Sequence, residues 1–212
     1  MADTLLAHHP LEFVASEMAG VSSASGSVTL TPEPFLPQTI VRLPAGSATA
    51  VVAAQLQLPT AANTWSRTAD GRAIWLGPDE WLLLGSSVAE FDPSAPAVRE
   101  RELGELLRPV GGAATDVSAQ RLGIRLGGPR ARDVLAKGCS IDLHPSRFGI
   151  GTAVQTTLGL AGVVLLALPA GADGHPEYLV LVRSSFAGYL ATWLLDAALE
   201  FANPAPFFDS AR

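Results

Sequence analysis

The sequence is short of several residue types, and each shortage excludes something. It holds 1 cysteine, Cys139, so no internal disulfide framework is available. Lys137 is the one lysine among 14 basic residues. Only 16% of the 212 residues are charged, where an average soluble domain carries about 25%. Long hydrophobic runs are missing too. The longest, residues 158–170, falls short of the ~20 residues of a membrane span. Its β-branched pair Val163-Val164 suits a buried strand instead. No basic stretch leads into an apolar one after Met1, so no secretory signal is expected and the chain reads as cytoplasmic. A net charge of −6 and a pI near 5.1 argue against nucleic acid, which calls for clustered cations.

The missing charge has two readings. At the average composition this length would carry roughly 53 charged residues, and the chain has 14 basic and 20 acidic ones. Either part of the surface is hidden against a partner, or an Ala- and Gly-rich composition has thinned the charge without structural cause.

What is present falls into two similar halves. Residues 1–37 read as an N-terminal arm or early helix with a Ser/Gly linker, a short strand at Val28 and Leu30, and a proline loop. In the first half (38–112), residues 38–43 predict a strand. Ser47 is a candidate N-cap for a helix that puts Ala48, Val51, Val52 and Leu56 inward and ends at Pro59. Residues 73–76 and 81–84 flank Gly77-Pro78-Asp79-Glu80 as a tight hairpin, and a helix over 98–107 follows. In the second half (113–203), strands over 115–126 lead to Gly127-Gly128-Pro129 at a helix start. Strands at 153–158, 163–168 and 177–182 come next. A last helix over 186–201 has Phe186, Leu190, Leu194, Ala197 and Phe201 on one stripe. Residues 204–212 are a C-terminal tail.

Asp79-Glu80-Trp81-Leu82-Leu83-Leu84 echoes Pro176-Glu177-Tyr178-Leu179-Val180-Leu181, and Ile40-Val41-Arg42-Leu43 echoes Gly123-Ile124-Arg125-Leu126. The prediction is an α+β fold. Two strand-helix-strand-strand-helix halves form antiparallel sheets with helices on one face.

Chemistry is sparse. None of His8, His9, His144 and His175 has a companion at metal-ligand spacing. Asp79 and Glu80 belong to a turn. Lys137-Gly138-Cys139 pairs a thiol with a cation, although an isolated cysteine at a helix end is usually a small buried hydrophobe. No catalytic, cofactor-binding or metal residue is predicted. Trp75 and Trp81, at neighbouring strand ends, are either core or partner anchors. Arg121 and Arg125 are candidates for pairing with partner carboxylates, or with Asp116, Asp133 or Asp142 in this chain.

The segment Trp75-Leu76-Gly77-Pro78-Asp79-Glu80-Trp81-Leu82-Leu83 resembles the signature of the gamma subunits of heterotetrameric sarcosine oxidases. Thr115-Asp116-Val117-Ser118-Ala119-Gln120-Arg121, then Ile124-Arg125-Leu126-Gly127-Gly128-Pro129, then Asp142-Leu143 and Gln155-Thr156, are similar to the wider aminomethyltransferase (T-protein) folate-binding superfamily. The resemblance covers residues 38–201 and implies an aminomethyltransferase folate-binding-domain-like fold. It implies a complex that oxidatively demethylates sarcosine to glycine, forming hydrogen peroxide and methylenetetrahydrofolate. It implies FAD, FMN, NAD, tetrahydrofolate and zinc on the alpha, beta and delta subunits, with this chain packed chiefly against alpha. Folate-dependent relatives carry an acidic residue after the turn of the second-half hairpin. Here that hairpin reads Leu158-Gly159-Leu160-Ala161-Gly162-Val163, with no carboxylate. Two alternatives stand beside this expectation: a subunit of a related N-methyl amino acid dehydrogenase complex, and a free folate-binding protein.

Overall fold

The computed structural model describes residues 9–86 and 94–202, side chains 23–25 and 47–49 excepted. The elements run α1 (Ala15–Ser25), β1 (Thr29–Pro32), β2 (Gln38–Arg42), α2 (Ser47–Gln55), β3 (Trp65–Thr68), β4 (Gly71–Gly77), β5 (Glu80–Gly85) and α3 (Ala95–Leu107). They continue with β6 (Ala113–Asp116), β7 (Arg121–Gly127), α4 (Ala131–Ala136), β8 (Ala153–Leu158), β9 (Ala161–Leu168), β10 (Glu177–Arg183) and α5 (Ala187–Ala202). Two five-stranded sheets form, ordered β3-β4-β5-β2-β6 and β8-β9-β10-β7-β1. Every strand pairing within them is antiparallel. The sheets stack face to face, and helices cover the outer face of each.

The central strands are therefore buried on both faces, which is why β5, β9 and β10 are apolar at nearly every position. On β10, Tyr178, Val180 and Val182 face the helices, while Leu179 and Leu181 face the other sheet. On β5, Trp81 and Leu83 face α2 and α3, while Leu82 and Leu84 face the other sheet. The period of two sorts one run of sequence into two cores.

The two sheet orders match position by position, so the halves are duplicates, with one exchange. β1 precedes the first half but pairs with β7 of the second. β6 follows α3 but pairs with β2 of the first. The connections cross between the sheets and are tied together there. Gln38 N–H donates to Ser118 Oγ (2.9 Å), Gln38 Nε2 to the Arg121 carbonyl (2.7 Å) and Val117 N–H to the Gln38 carbonyl (2.8 Å). Each half runs strand, helix, three strands, helix. The expected count missed β3, a short edge strand without an apolar run.

Residues 9–37 do more than link the halves. Leu11, Val14, Met18 and Val21 are buried at helical spacing, and α1 packs against α5 and β1. The periodicity reads weakly because Ala, Ser and Gly fill the other faces of α1. His9, in the segment expected to be an arm or early helix, accepts the Leu11 N–H at Nδ1 (3.2 Å) and places Nε2 2.9 Å from the Glu33 carbonyl. His8 and the tail 204–212 lie outside the described residues.

Helix boundaries shift by small amounts. The N-cap of α2 is Gly46 rather than Ser47. Its end is a Schellman closure, with Leu58 N–H on the Ala53 carbonyl (2.9 Å) and Gln57 N–H on the Ala54 carbonyl (3.1 Å). The chain turns at Gln57, before Pro59. Val51, expected inward, is exposed. The buried stripe of α5 begins at Ala187 instead of Phe186, which is exposed. Gly127-Gly128-Pro129 precedes α4 without entering it. Gly128 has φ +103°, and a Cβ there would stand 2.6 Å from the Ser27 carbonyl oxygen.

Candidate subunit interface

The 75–83 segment is the β4–β5 hairpin. Gly77 pairs with Glu80 across the two-residue turn Pro78-Asp79, and a bulge at Leu76 restores the register. Trp75 and Trp81 then stand directly opposite each other. Trp81 is 7% exposed and donates its indole N–H to the Pro59 carbonyl (2.8 Å). It belongs to the core under α2 and α3. Trp75 is half-buried beside that core. Arg42 holds Asp79 at 3.2 Å and Glu80 at 3.5 Å in the open, so these acids are paired surface groups.

Arg121 and Arg125 share the inner face of β7, because Leu122, Ile124 and Leu126 point to the helices. Their surroundings differ. Arg125 is gripped by Glu33 through Nε and by Glu177 through Nη1. Burial opposes its charge, but the hydrogen bonds to Glu33 and Glu177 outweigh it and hold the guanidinium above its ordinary pKa. The alternative acids are engaged elsewhere. Asp116 accepts from Ser118, Asp133 pairs with Arg130, and Asp142 accepts the His144 N–H.

Among the described residues Arg121 has no salt bridge, and its Nη1 donates to Gln120 Oε1. The residue directly across the ladder is Arg183. Burial and then Arg183 push the Arg121 pKa down, against a smaller pull upward from Glu80. Sequence reasoning missed Arg183 and Glu33, since only the strand register brings them to β7.

The remaining reactive side chains are occupied structurally. Lys137 reaches the Ala197 carbonyl, Glu200 Oε1 (2.6 Å) and the Phe201 ring (4.8 Å to the centroid), so it closes the C-terminal end of α5. Cys139 is buried in the helix-side core. No group of three or more His, Cys, Asp or Glu side chains among the described residues is placed to hold a metal. No described helix is long and apolar enough to cross a membrane. The β8–β9 turn presents Gly159 and Leu160, the latter 83% exposed. The Leu160 N–H donates to Tyr189 Oη (3.0 Å), which docks the turn on α5.

The profile of the sarcosine oxidase, gamma subunit family matches residues 41–200. The chain belongs to that family. The gamma subunit of sarcosine oxidase from Arthrobacter sp. is 38% identical over 211 residues, covering 95% of this chain and 94% of that one. That from Corynebacterium sp. (strain P-1) is 35% identical over 204 residues, covering 94% of each. A chain of the heterotetrameric sarcosine oxidase from Corynebacterium sp. U-96, solved with pyrrole 2-carboxylate, superposes with a TM-score of 0.77 at 31% identity. That match covers 94% of this chain and 98% of the other. The glycine cleavage system aminomethyltransferase T of Bartonella henselae has the same fold at lower similarity: TM-score 0.56, 14% identity, 84% of this chain and 48% of that one. The family member described here thus carries the expected α+β, aminomethyltransferase-like architecture.

Proposed function

We propose that this chain is a non-catalytic structural subunit of a cytoplasmic heterotetrameric sarcosine oxidase. The observation that carries the reading is the end-to-end match to one chain of the Corynebacterium complex. In this reading the complex demethylates sarcosine oxidatively to glycine, forming hydrogen peroxide and methylenetetrahydrofolate. The alpha, beta and delta subunits are the partners, chiefly alpha, and FAD, FMN, NAD, tetrahydrofolate and zinc reside on them.

The side-chain inventory supports a structural role. General acid–base work requires a carboxylate or imidazole desolvated beside a cleft. Here Glu33 and Glu177 neutralise Arg125, and Asp79 and Glu80 neutralise Arg42. A pterin ring and a transferred one-carbon unit need hydrogen-bonding groups, and the β8–β9 turn offers an exposed leucine. The subunit's task in this account is to hold the folate-binding part of alpha in place and keep the assembly soluble.

The test is expression of the other three subunits with and without this chain. The expected result is poor yield or rapid loss of sarcosine-dependent peroxide formation in its absence. Equal yield, stability and activity without it would contradict the reading.

A further inference from the structure

The inner face of the second-half sheet extends one row of residues beyond the cover of the first. The registers define two rows across it. The inner row is Gly123, Leu181, Val164 and Gln155, each directly opposite the next. Leu181 and Val164 are 1% and 4% exposed and belong to the inter-sheet core. In the outer row Arg121 opposes Arg183, and Gly162 opposes Thr157. The Val182–Val163 pair sets Gly162 beside Arg183. Nothing lies within 4 Å of where a Gly162 Cβ would be, so the row is open there. A cavity of about 390 Å³ spans this edge, and Arg121, Arg183 and Gln155 are among its lining residues. Gln155 Nε2 donates to the Leu76 carbonyl (2.8 Å), which joins the shelf to the 75–83 hairpin.

Like charges directly opposite in a sheet destabilise it. The sequence carries 20 acidic residues against 14 basic ones, yet no described acid forms a salt bridge with Arg121 or Arg183. Glu33 and Glu177 serve Arg125, Asp79 and Glu80 serve Arg42, and Asp133 serves Arg130. Among the described residues no carboxylate pairs with either guanidinium, and the pull of Glu80 on Arg121 is the smaller effect beside burial and Arg183.

We propose that this shelf seats an acidic, extended segment of a partner subunit, whose carboxylates Arg121 and Arg183 receive. The inference rests on the subunit reading above. Guanidinium forks match carboxylates in geometry as well as charge. A row four strands wide spans about 14 Å, more than one small anion occupies. Gly162 leaves room for a backbone to lie against the sheet.

The test uses the full tagged chain co-expressed with the other subunits, as wild type, as Arg121→Ala/Arg183→Ala and as Arg121→Lys/Arg183→Lys. The Ala variant is expected to retain the partners at least about tenfold more weakly. Wild-type retention should fall as salt rises, and the Ala variant should lose most of that dependence. The Lys variant should recover part of both. The melting temperature of the free Ala chain should stay level or rise, since it loses a repulsive pair, and this separates lost docking from lost folding. Equal retention and equal salt dependence in wild type and the Ala variant would overturn the shelf while leaving the subunit reading intact. Capture of no flavin-bearing subunit by the wild type would overturn both. Stabilisation of the free chain by millimolar inorganic phosphate or citrate, abolished in the Ala variant, would assign the arginines to a small anion and overturn the segment.

Discussion

Two arginines four positions apart on one strand face have opposite fates. Arg125 is a structural cation between Glu33 and Glu177, and Arg121 stands against another arginine. Removing Arg125 leaves two carboxylates close together and largely buried, with side-chain exposures of 11% and 17%. Breaking a fully buried pair costs about 3–5 kcal/mol. Arg125 is 34% exposed, so Arg125→Ala should cost about 2 kcal/mol after solvent screening. Replacing all three by neutral residues of similar size should restore most of that loss. Urea midpoints of the single and triple variants check both statements. The two tryptophans separate in the same way. Trp81→Ala opens a cavity and strands the Pro59 carbonyl, an expected loss of about 3–5 kcal/mol. Trp75→Ala should cost less than half as much by the same measurement.

Among the elements, the end of α2 shows where local chemistry departs from the easiest solution. Its closure places Gln57 at φ +56°, a conformation glycine adopts without strain. Gln57→Gly should therefore raise stability by about 0.5–1 kcal/mol, read as a higher urea midpoint with unchanged slope. The central strands were legible because burial on two faces forces continuous apolar runs. Of the edge strands, β1 and β6 were visible only as short pieces, at Val28 and Leu30 and at the start of 115–126, and β3 was not visible at all, since Trp65-Ser66-Arg67-Thr68 contains no apolar run. The echo between halves was visible, but its register was not. Val41 opposes Trp81 and Leu126 opposes Tyr178, which makes Val41 the counterpart of Leu126. The matched strings Ile40-Val41-Arg42-Leu43 and Gly123-Ile124-Arg125-Leu126 are thus two residues out of step. A slip of two preserves the inward–outward pattern, so alternation cannot detect it. The arginine pair escaped for a related reason. Nothing near Arg121 in sequence announces Arg183, and pairing across β7 and β10 is a tertiary fact.

At the scale of the whole molecule, the exchange of β1 and β6 makes the halves interdependent. Each sheet takes an edge strand from beyond its own half, and the sheets share one apolar interface. The chain should unfold in one cooperative transition, with tryptophan fluorescence and far-ultraviolet circular dichroism giving the same midpoint. A fragment of residues 38–112 lacks β6 and exposes the inter-sheet leucines, so it should remain unfolded. An independently folded fragment would show that the halves are separate domains.

The most direct measurement is a native pull-down of the N-terminally tagged chain, followed by mass spectrometry and a sarcosine-dependent oxygen-uptake assay. The account predicts recovery of flavin-bearing larger subunits in an assembly that consumes oxygen when sarcosine is added. A partner-free monomer that binds folate on its own would contradict it.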